Sequence, residues 1–83
     1  MPYIKQEQRN QLEDIDTPAI TAGELNYCIT KLVCEYINSN KLNYQTINDI
    51  VGALEGAKLE FYRRVAAPYE NVKMKENGDV YYD

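Results

Sequence analysis

Apolar residues recur along two long stretches of the chain at intervals of three and four, which is the spacing of an amphipathic helix. The first stretch predicts a helix over residues 22–38, and the second predicts a longer helix over residues 44–66. We expect the two helices to lie antiparallel. The apolar positions of the first are Leu25, Cys28, Ile29, Leu32, Val33, Tyr36 and Ile37. Those of the second are Ile47, Ile50, Val51, Leu54, Ala57, Phe61 and Val65.

The ends of both predicted helices carry recognisable signals. Thr21 and Glu24 have the spacing of a capping box, in which two side chains satisfy backbone N–H groups at a helix start. Thr46 and Asp49 form a similar pair near the start of the second helix, which we place at residue 43 or 46. Pro68 cannot donate a backbone hydrogen bond and clashes with the preceding turn, so we expect the long helix to stop before it.

The two flanking segments complete the expected fold. Residues 1–20 form a polar arm with a short helix over residues 5–13, and Thr17-Pro18 reads as a break. Residues 71–83 contain Asn77-Gly78, a pair typical of a two-residue hairpin turn, so we expect a hairpin tail. The predicted fold class is therefore mainly α, with two long antiparallel helices, a short N-terminal helix and a C-terminal β-hairpin in one small domain over residues 1–83.

Small residues on the long helix predict a close helix–helix contact. A glycine inside a helix costs about 1 kcal/mol relative to alanine, so some packing should compensate for two of them. Either the helix over residues 22–38 packs on this strip, or a second copy of the chain does. Apolar side chains off the main stripe favour a homo-oligomer. The predicted interface residues are Gly52, Ala53, Gly56, Ala57 and Leu59.

Composition and charge narrow the possible partners. With 83 residues, one compact core is marginal, and a second copy would help to stabilise it. A formal net charge of −4 argues against general binding to nucleic acid. No apolar run is long enough to cross a bilayer, and the opening MPYIKQEQR lacks a hydrophobic signal segment, so we expect a cytoplasmic protein with no membrane contact.

Little in the chain points to catalysis. Histidine is absent, which removes the commonest general base at neutral pH, and neither phosphate-binding glycine loop pattern occurs. Cys28 and Cys34 lie on one predicted helix about 9 Å apart along its axis, too far to bridge, and they are too few for a zinc site. We expect no enzyme activity, no cofactor and no metal.

One cluster of cations and aromatic rings is the strongest candidate for a ligand site. Arginine can hold phosphate or carboxylate in a two-pronged contact, while tyrosine offers a flat face for stacking. Alternatively, Glu60 and Arg64 form an ordinary surface pair one helical turn apart, and the cations complement the helix dipole. The predicted ligand-binding residues are Lys58, Tyr62, Arg63, Arg64 and Tyr69.

Several segments resemble a family of small proteins of unknown function found in tailed phages and prophages. They cover nearly the whole chain: MPYIKQ at the start, GELNY at 23–27, YQTINDI at 44–50, GALEGAKLEFYRRV at 52–65, APYE at 67–70 and ENGDVY at 76–81. The resemblance implies a small accessory phage protein made in the cytoplasm of a bacterial host. It implies no activity and carries over no functional residue.

Three functions follow as hypotheses. The first is a counter-defence protein that, as a homo-oligomer, binds and sequesters a small anionic ligand such as a cyclic nucleotide signal. The second is a protein-interaction module that inhibits a host effector through its acidic surface, for example as a nucleic-acid mimic. The third is a structural or regulatory phage protein without a ligand. The acidic residues that would serve the second are Glu13, Asp14, Asp16, Glu76, Asp79 and Asp83.

Overall fold

The computed structural model describes residues 3–13 and 17–81, and the chain divides into two compact units, residues 1–46 and 47–83. The predicted mainly α class is confirmed. The first unit contains α1 (Gln6–Leu12) and α2 (Ala22–Asn40). α3 (Tyr44–Phe61) continues through a π-helical turn (Tyr62–Ala66) into α4 (Ala67–Asn77). Parts of the predicted arm (residues 1–2 and 14–16) and of the predicted tail (residues 82–83) lie outside the described residues.

A glutamate at the start of α2 joins the two helices of the first unit. The Glu24 backbone N–H donates to Thr21 Oγ1 at 3.1 Å, as the capping box predicts. The Glu24 carboxylate accepts from the Ile20 N–H and from Gln8 Nε2, each at 2.9 Å, so it reaches back past the capping threonine. Because Gln8 belongs to α1, this buried carboxylate ties α1 to the start of α2.

The start of α3 is fixed by Asn43. Its Oδ1 accepts a hydrogen bond of 2.8 Å from the backbone N–H of Thr46, which is the usual role of an N-cap side chain. The Thr46 side chain is buried and its hydroxyl lies 3.5 Å from the Asn40 carbonyl oxygen at the end of α2. Of the two predicted starts of this helix, the one at residue 43 agrees with the structure.

The predicted β-hairpin over residues 71–83 is wrong. α4 runs to Asn77, and residues 3–13 and 17–81 contain no strand. Gly78 has φ of 90°, and its N–H donates to the Met74 carbonyl at 2.8 Å, which closes the last turn of the helix. A glycine at positive φ serves a helix C-terminus as well as a hairpin turn, so the Asn77-Gly78 pair did not distinguish the two.

The expected stop before Pro68 is also wrong, because the helical path continues through it to Asn77. In the π-helical turn the Ala67 N–H bonds to the Tyr62 carbonyl, five residues back. Pro68 then occupies the first turn of α4, where a backbone N–H has no partner within the new α-helical segment and its absence is tolerated.

Neither unit has an apolar core in the described part of the chain. The two buried residues, Glu24 and Thr46, are polar, and the large apolar side chains of α2, α3 and α4 remain exposed or half-buried. None of the helices in residues 3–13 and 17–81 combines the length and apolar character needed to cross a bilayer. The helices are therefore held mainly by their own backbone hydrogen bonds and caps.

The Glu24 contacts predict a pH-dependent stability. The hydrogen bond from the Ile20 N–H, followed by that from Gln8, lowers the pKa of Glu24. A lowered pKa stabilises the fold above the ordinary glutamate value of about 4.3, and this stabilisation is lost as pH falls through the lower, folded-state pKa. Thermal unfolding between pH 6 and pH 3 should therefore show a shallower fall in melting temperature for Glu24→Gln than for the wild type. The exposed Glu35→Gln should keep the wild-type slope, and a wild-type slope in Glu24→Gln would refute the role of this carboxylate.

The helical C-terminal segment predicts a specific cost at Gly78. Alanine at φ of 90° is strained, and it also replaces the residue that caps α4, so Gly78→Ala should lose about 1 kcal/mol of local helix stability. Cα chemical shifts should be helical over residues 67–77 in the wild type and should weaken toward residue 77 in the variant. Strand-type shifts over residues 72–76 would contradict this part of the structure.

Candidate functional site

The predicted ligand-binding residues lie together at the end of α3, in the π-helical turn and at the start of α4, all within the second unit. We refer to them as the cation–aromatic cluster: Lys58, Tyr62, Arg63, Arg64 and Tyr69. Each of the five side chains is exposed. The arrangement is therefore local, built by residues of one continuous helical path.

Both arginines of the cluster hold the same carboxylate. Arg63 Nη2 lies 2.5 Å from Glu60 Oε2, and Arg64 Nη1 lies 3.4 Å from Glu60 Oε1. The arginine side chains are 74% and 72% exposed, and exposed ion pairs typically contribute less than about 1 kcal/mol. The sequence-based alternative of a Glu60–Arg64 surface pair is therefore present, and Arg63 shares it. Two guanidinium groups converge on one anionic group that water can reach.

Lys58 and Tyr69, at the edges of the cluster, also have partners on neighbouring helical turns. Lys58 Nζ lies 3.7 Å from Glu55 Oε1, and the Lys73 ammonium lies 5.6 Å from the centre of the Tyr69 ring. Both contacts are between residues three or four positions apart, as on any helix surface. They orient the Lys58 and Tyr69 side chains along the helix.

Tyr62 is fixed by a contact across the π-helical turn. Its hydroxyl donates to Glu70 Oε1 at 3.0 Å, although the two residues are eight positions apart. This hydrogen bond, together with the negative charge of the Glu70 carboxylate, raises the pKa of the Tyr62 phenol above its ordinary value. The ring of Tyr62 is thereby held in one orientation beside the arginines.

A surface groove of about 420 Å³ lies beside the cluster. Gly56 is one of its lining residues, and a Cβ atom there would meet nothing within 4 Å, so the missing side chain leaves open space. The groove brings three members of the cluster together with two of the predicted interface residues, while Arg64 and Tyr69 lie outside it. Its lining residues are Gly56, Lys58, Leu59, Glu60, Tyr62 and Arg63.

The five predicted interface residues all lie on α3 and are exposed. Gly52, like Gly56, is open to solvent within 4 Å of its missing Cβ. Each of these glycines is two residues from Leu54, and two residues correspond to about 200° around a helix. The glycines and the main apolar stripe of α3 are therefore on opposite sides of the helix.

Two carboxylates of this region were not predicted as site residues. Glu60 had a usable signal, since it lies three and four positions before the two arginines. Glu70 had no such signal, because side chains that contact each other on an α-helix are three or four residues apart, whereas Glu70 is eight residues after Tyr62. The π-helical turn between the two residues alters the helical path. In the structure, Glu60 pairs with both arginines of the cluster and Glu70 accepts a hydrogen bond from Tyr62.

In comparison with known proteins, the family model of a domain of unknown function, DUF6899, matches residues 1–80. No curated protein and no solved structure matches the chain.

The Tyr62–Glu70 contact predicts an anomalous tyrosine titration. In protein labelled at tyrosine Cζ, the signal that Tyr62→Phe removes should titrate above the ordinary tyrosine pKa of about 10. Glu70→Gln eliminates the negative charge, so it should lower the pKa of Tyr62 toward the ordinary value. Glu76→Gln, which affects the separate pair with Lys73, should leave it unchanged. An unaltered Tyr62 titration in Glu70→Gln would show that the contact does not form.

Proposed function

We propose that this chain, which belongs to the DUF6899 family, is a homo-oligomeric protein that binds and sequesters a small anionic ligand, such as a cyclic nucleotide signal. The ligand binds at the cation–aromatic cluster and the adjoining groove. The protein acts without catalysis, by lowering the concentration of free ligand.

The observation that carries this proposal is the convergence of Arg63 and Arg64 on the Glu60 carboxylate. A phosphate group offers the same kind of oxygen acceptors as a carboxylate and more negative charge, so it can replace Glu60 between the two guanidinium groups. Because the Glu60 pairs are exposed and weak, their loss costs little. Lys58 adds a third positive charge at the groove.

The groove supplies the apolar part of such a site. Tyr62 presents a flat ring held by Glu70, Leu59 adds apolar surface, and Gly56 leaves room between them. A volume of about 420 Å³ falls within the roughly 300–1,000 Å³ of small-molecule sites. A nucleotide with its phosphate on the arginines and its base stacked on Tyr62 would use both the charged part and the apolar part of the site. Tyr69, outside the groove, extends the aromatic surface next to it.

Self-association supports the same function. The described residues bury no apolar side chain, and a chain of 83 residues gains stability by covering such surface in an assembly. An open groove on one helix binds weakly, and a neighbouring subunit gives it a second wall. We therefore place the complete ligand site at subunit junctions.

The resemblance to phage and prophage proteins supplies the biological context. A small accessory protein made in the cytoplasm of an infected bacterium fits counter-defence, in which removal of a nucleotide signal prevents a host response.

A second candidate function is inhibition of a host protein by direct contact. It is favoured by the exposed apolar side chains, which a partner protein can cover, and by the net charge of −4. Three of its six acidic residues, Glu13, Glu76 and Asp79, are exposed, while Asp14, Asp16 and Asp83 lie outside the described residues. In this second function, Arg63 and Arg64 can stay paired with Glu60.

Calorimetry against a panel of cyclic mono-, di- and trinucleotides tests the first function. We expect saturable binding to at least one member, lost by tenfold or more in Arg63→Gln because the bidentate phosphate contact disappears. Glu60→Gln should bind several-fold more tightly, because the competing carboxylate is neutralised. Lys75→Gln is the control, since Lys75 is an exposed cation of α4 that does not line the groove, and it should bind like the wild type.

Two results would contradict the proposal. The first is no heat of binding for any member of the panel with folded protein. The second is binding that Arg63→Gln and Glu60→Gln leave unchanged, which would place the ligand elsewhere. A host protein retained at fixed stoichiometry, with the panel silent, would favour the second function.

A further inference from the structure

Three of the five residues of the cation–aromatic cluster, Tyr62, Arg63 and Arg64, lie within the π-helical turn. Such turns are rare in helices and occur frequently at functional sites. We propose that this turn positions the ligand site: Pro68 favours it over a continuous α-helix, and it carries Glu70 to the side of the helix where Glu70 holds Tyr62. The inference rests on the proposed function for the ligand and adds the residues that position its stacking ring.

Helical geometry explains why the contact between Tyr62 and Glu70 needs the turn. Two turns of a regular α-helix take about 7.2 residues, so Tyr69 would lie over Tyr62, and Glu70 would lie about 80° to the side. In the π-helical turn the Ala67 N–H bonds to the carbonyl five residues back rather than four, which adds about one residue to the turn. Two turns then take about eight residues. The hydrogen bond of 3.0 Å from the Tyr62 hydroxyl to Glu70 Oε1 agrees with this count.

Pro68 disfavours a regular α-helix at this point. In an unbroken α-helix its ring would clash with the Arg64 carbonyl, and it would supply no N–H to that carbonyl. Instead the π-helical turn ends at Ala66, α4 begins at Ala67, and Pro68 falls in the first turn of α4, where no N–H is needed. Because a proline can also end a helix, Pro68 alone does not predict the turn. Where the helix continues past it, as here, the proline favours the π-helical path.

The consequence at the groove concerns the Tyr62 ring. Tyr62 lines the groove together with Gly56 and Leu59, and its side chain is exposed. An exposed ring that is not held exchanges between rotamers, and ordering it when a ligand binds costs free energy. The hydrogen bond to Glu70 removes part of that cost before the ligand arrives. Glu70 is therefore a positioning residue, which acts on the ligand through Tyr62.

NMR without ligand tests the turn itself. In Pro68→Ala the path should become a regular α-helix, so the hydrogen-bond coupling of the Ala67 amide should move from the Tyr62 carbonyl to the Arg63 carbonyl. Glu70 should then lie to the side of Tyr62. The pKa of Tyr62 should fall toward the ordinary tyrosine value of about 10, because the hydrogen bond and the nearby carboxylate that raise it are removed.

Two further variants separate this effect from a general loss of structure. Pro18→Ala is the matched control, since Pro18 lies between α1 and α2, and it should leave the pKa of Tyr62 at the wild-type value. Deletion of Ala66 in the Pro68→Ala background places Glu70 seven residues after Tyr62, which is two turns of a regular α-helix. This deletion should therefore raise the pKa of Tyr62 again. Helical content should be kept in both helix variants, because alanine is the best helix former.

Ligand affinity gives the second readout. For any cyclic nucleotide of the panel that binds the wild type, Pro68→Ala should bind several-fold more weakly, and the added deletion of Ala66 should recover most of the loss. A Tyr62 released from Glu70 with unchanged affinity would overturn its role in the ligand site.

The two readouts fail separately. A silent panel removes the proposed function, and the NMR measurements still decide whether the turn positions Tyr62. An unchanged Ala67 coupling and Tyr62 pKa in Pro68→Ala, or no recovery of that pKa on deletion of Ala66, would overturn the positioning role of the turn whatever the panel shows.

Discussion

Burial of apolar side chains provides most of the favourable free energy of folding. The stability of this chain therefore depends on what covers its apolar side chains. In residues 3–13 and 17–81 the buried side chains are those of Glu24 and Thr46, both polar. Caps and backbone hydrogen bonds define the helices, but isolated helices of this length are only marginally stable in water. We therefore propose that the missing apolar contacts form between copies of the chain, and that a neighbouring copy gives the proposed ligand site its second wall.

The two sides of α3 differ in chemistry. One side presents an apolar stripe that includes Leu54, and the opposite side includes Gly56, which lines the groove together with Glu60 and Arg63. A carboxylate shared by two arginines offsets one of their two positive charges when no ligand is present. The remaining positive charge is available to the oxygen anion that we propose as the ligand. A helix that is polar on every side would offer neither surface.

Local signals in the sequence predicted most of the helices and part of the candidate site. The three-and-four spacing and the Thr21 cap are local, so they located α2 and α3 well. The C-terminal segment was predicted wrongly because Asn77-Gly78 suits a helix end and a hairpin turn alike, and the choice depends on the residues before it. The passage of the helix through Pro68, and with it the Tyr62–Glu70 contact, depends on a π-helical turn that has no comparable sequence signal. The members of the cluster could be predicted together because they are neighbours on one helical path.

The dependence of thermal stability on protein concentration tests the central claim most directly. If the apolar surface is covered by other copies, mass action makes the melting temperature rise by several degrees between roughly 1 and 100 μM chain. The helical signal should be lost together with the oligomer. A cooperative transition at one constant temperature over that whole range would mean that a single chain covers its own surface, and would contradict the claim.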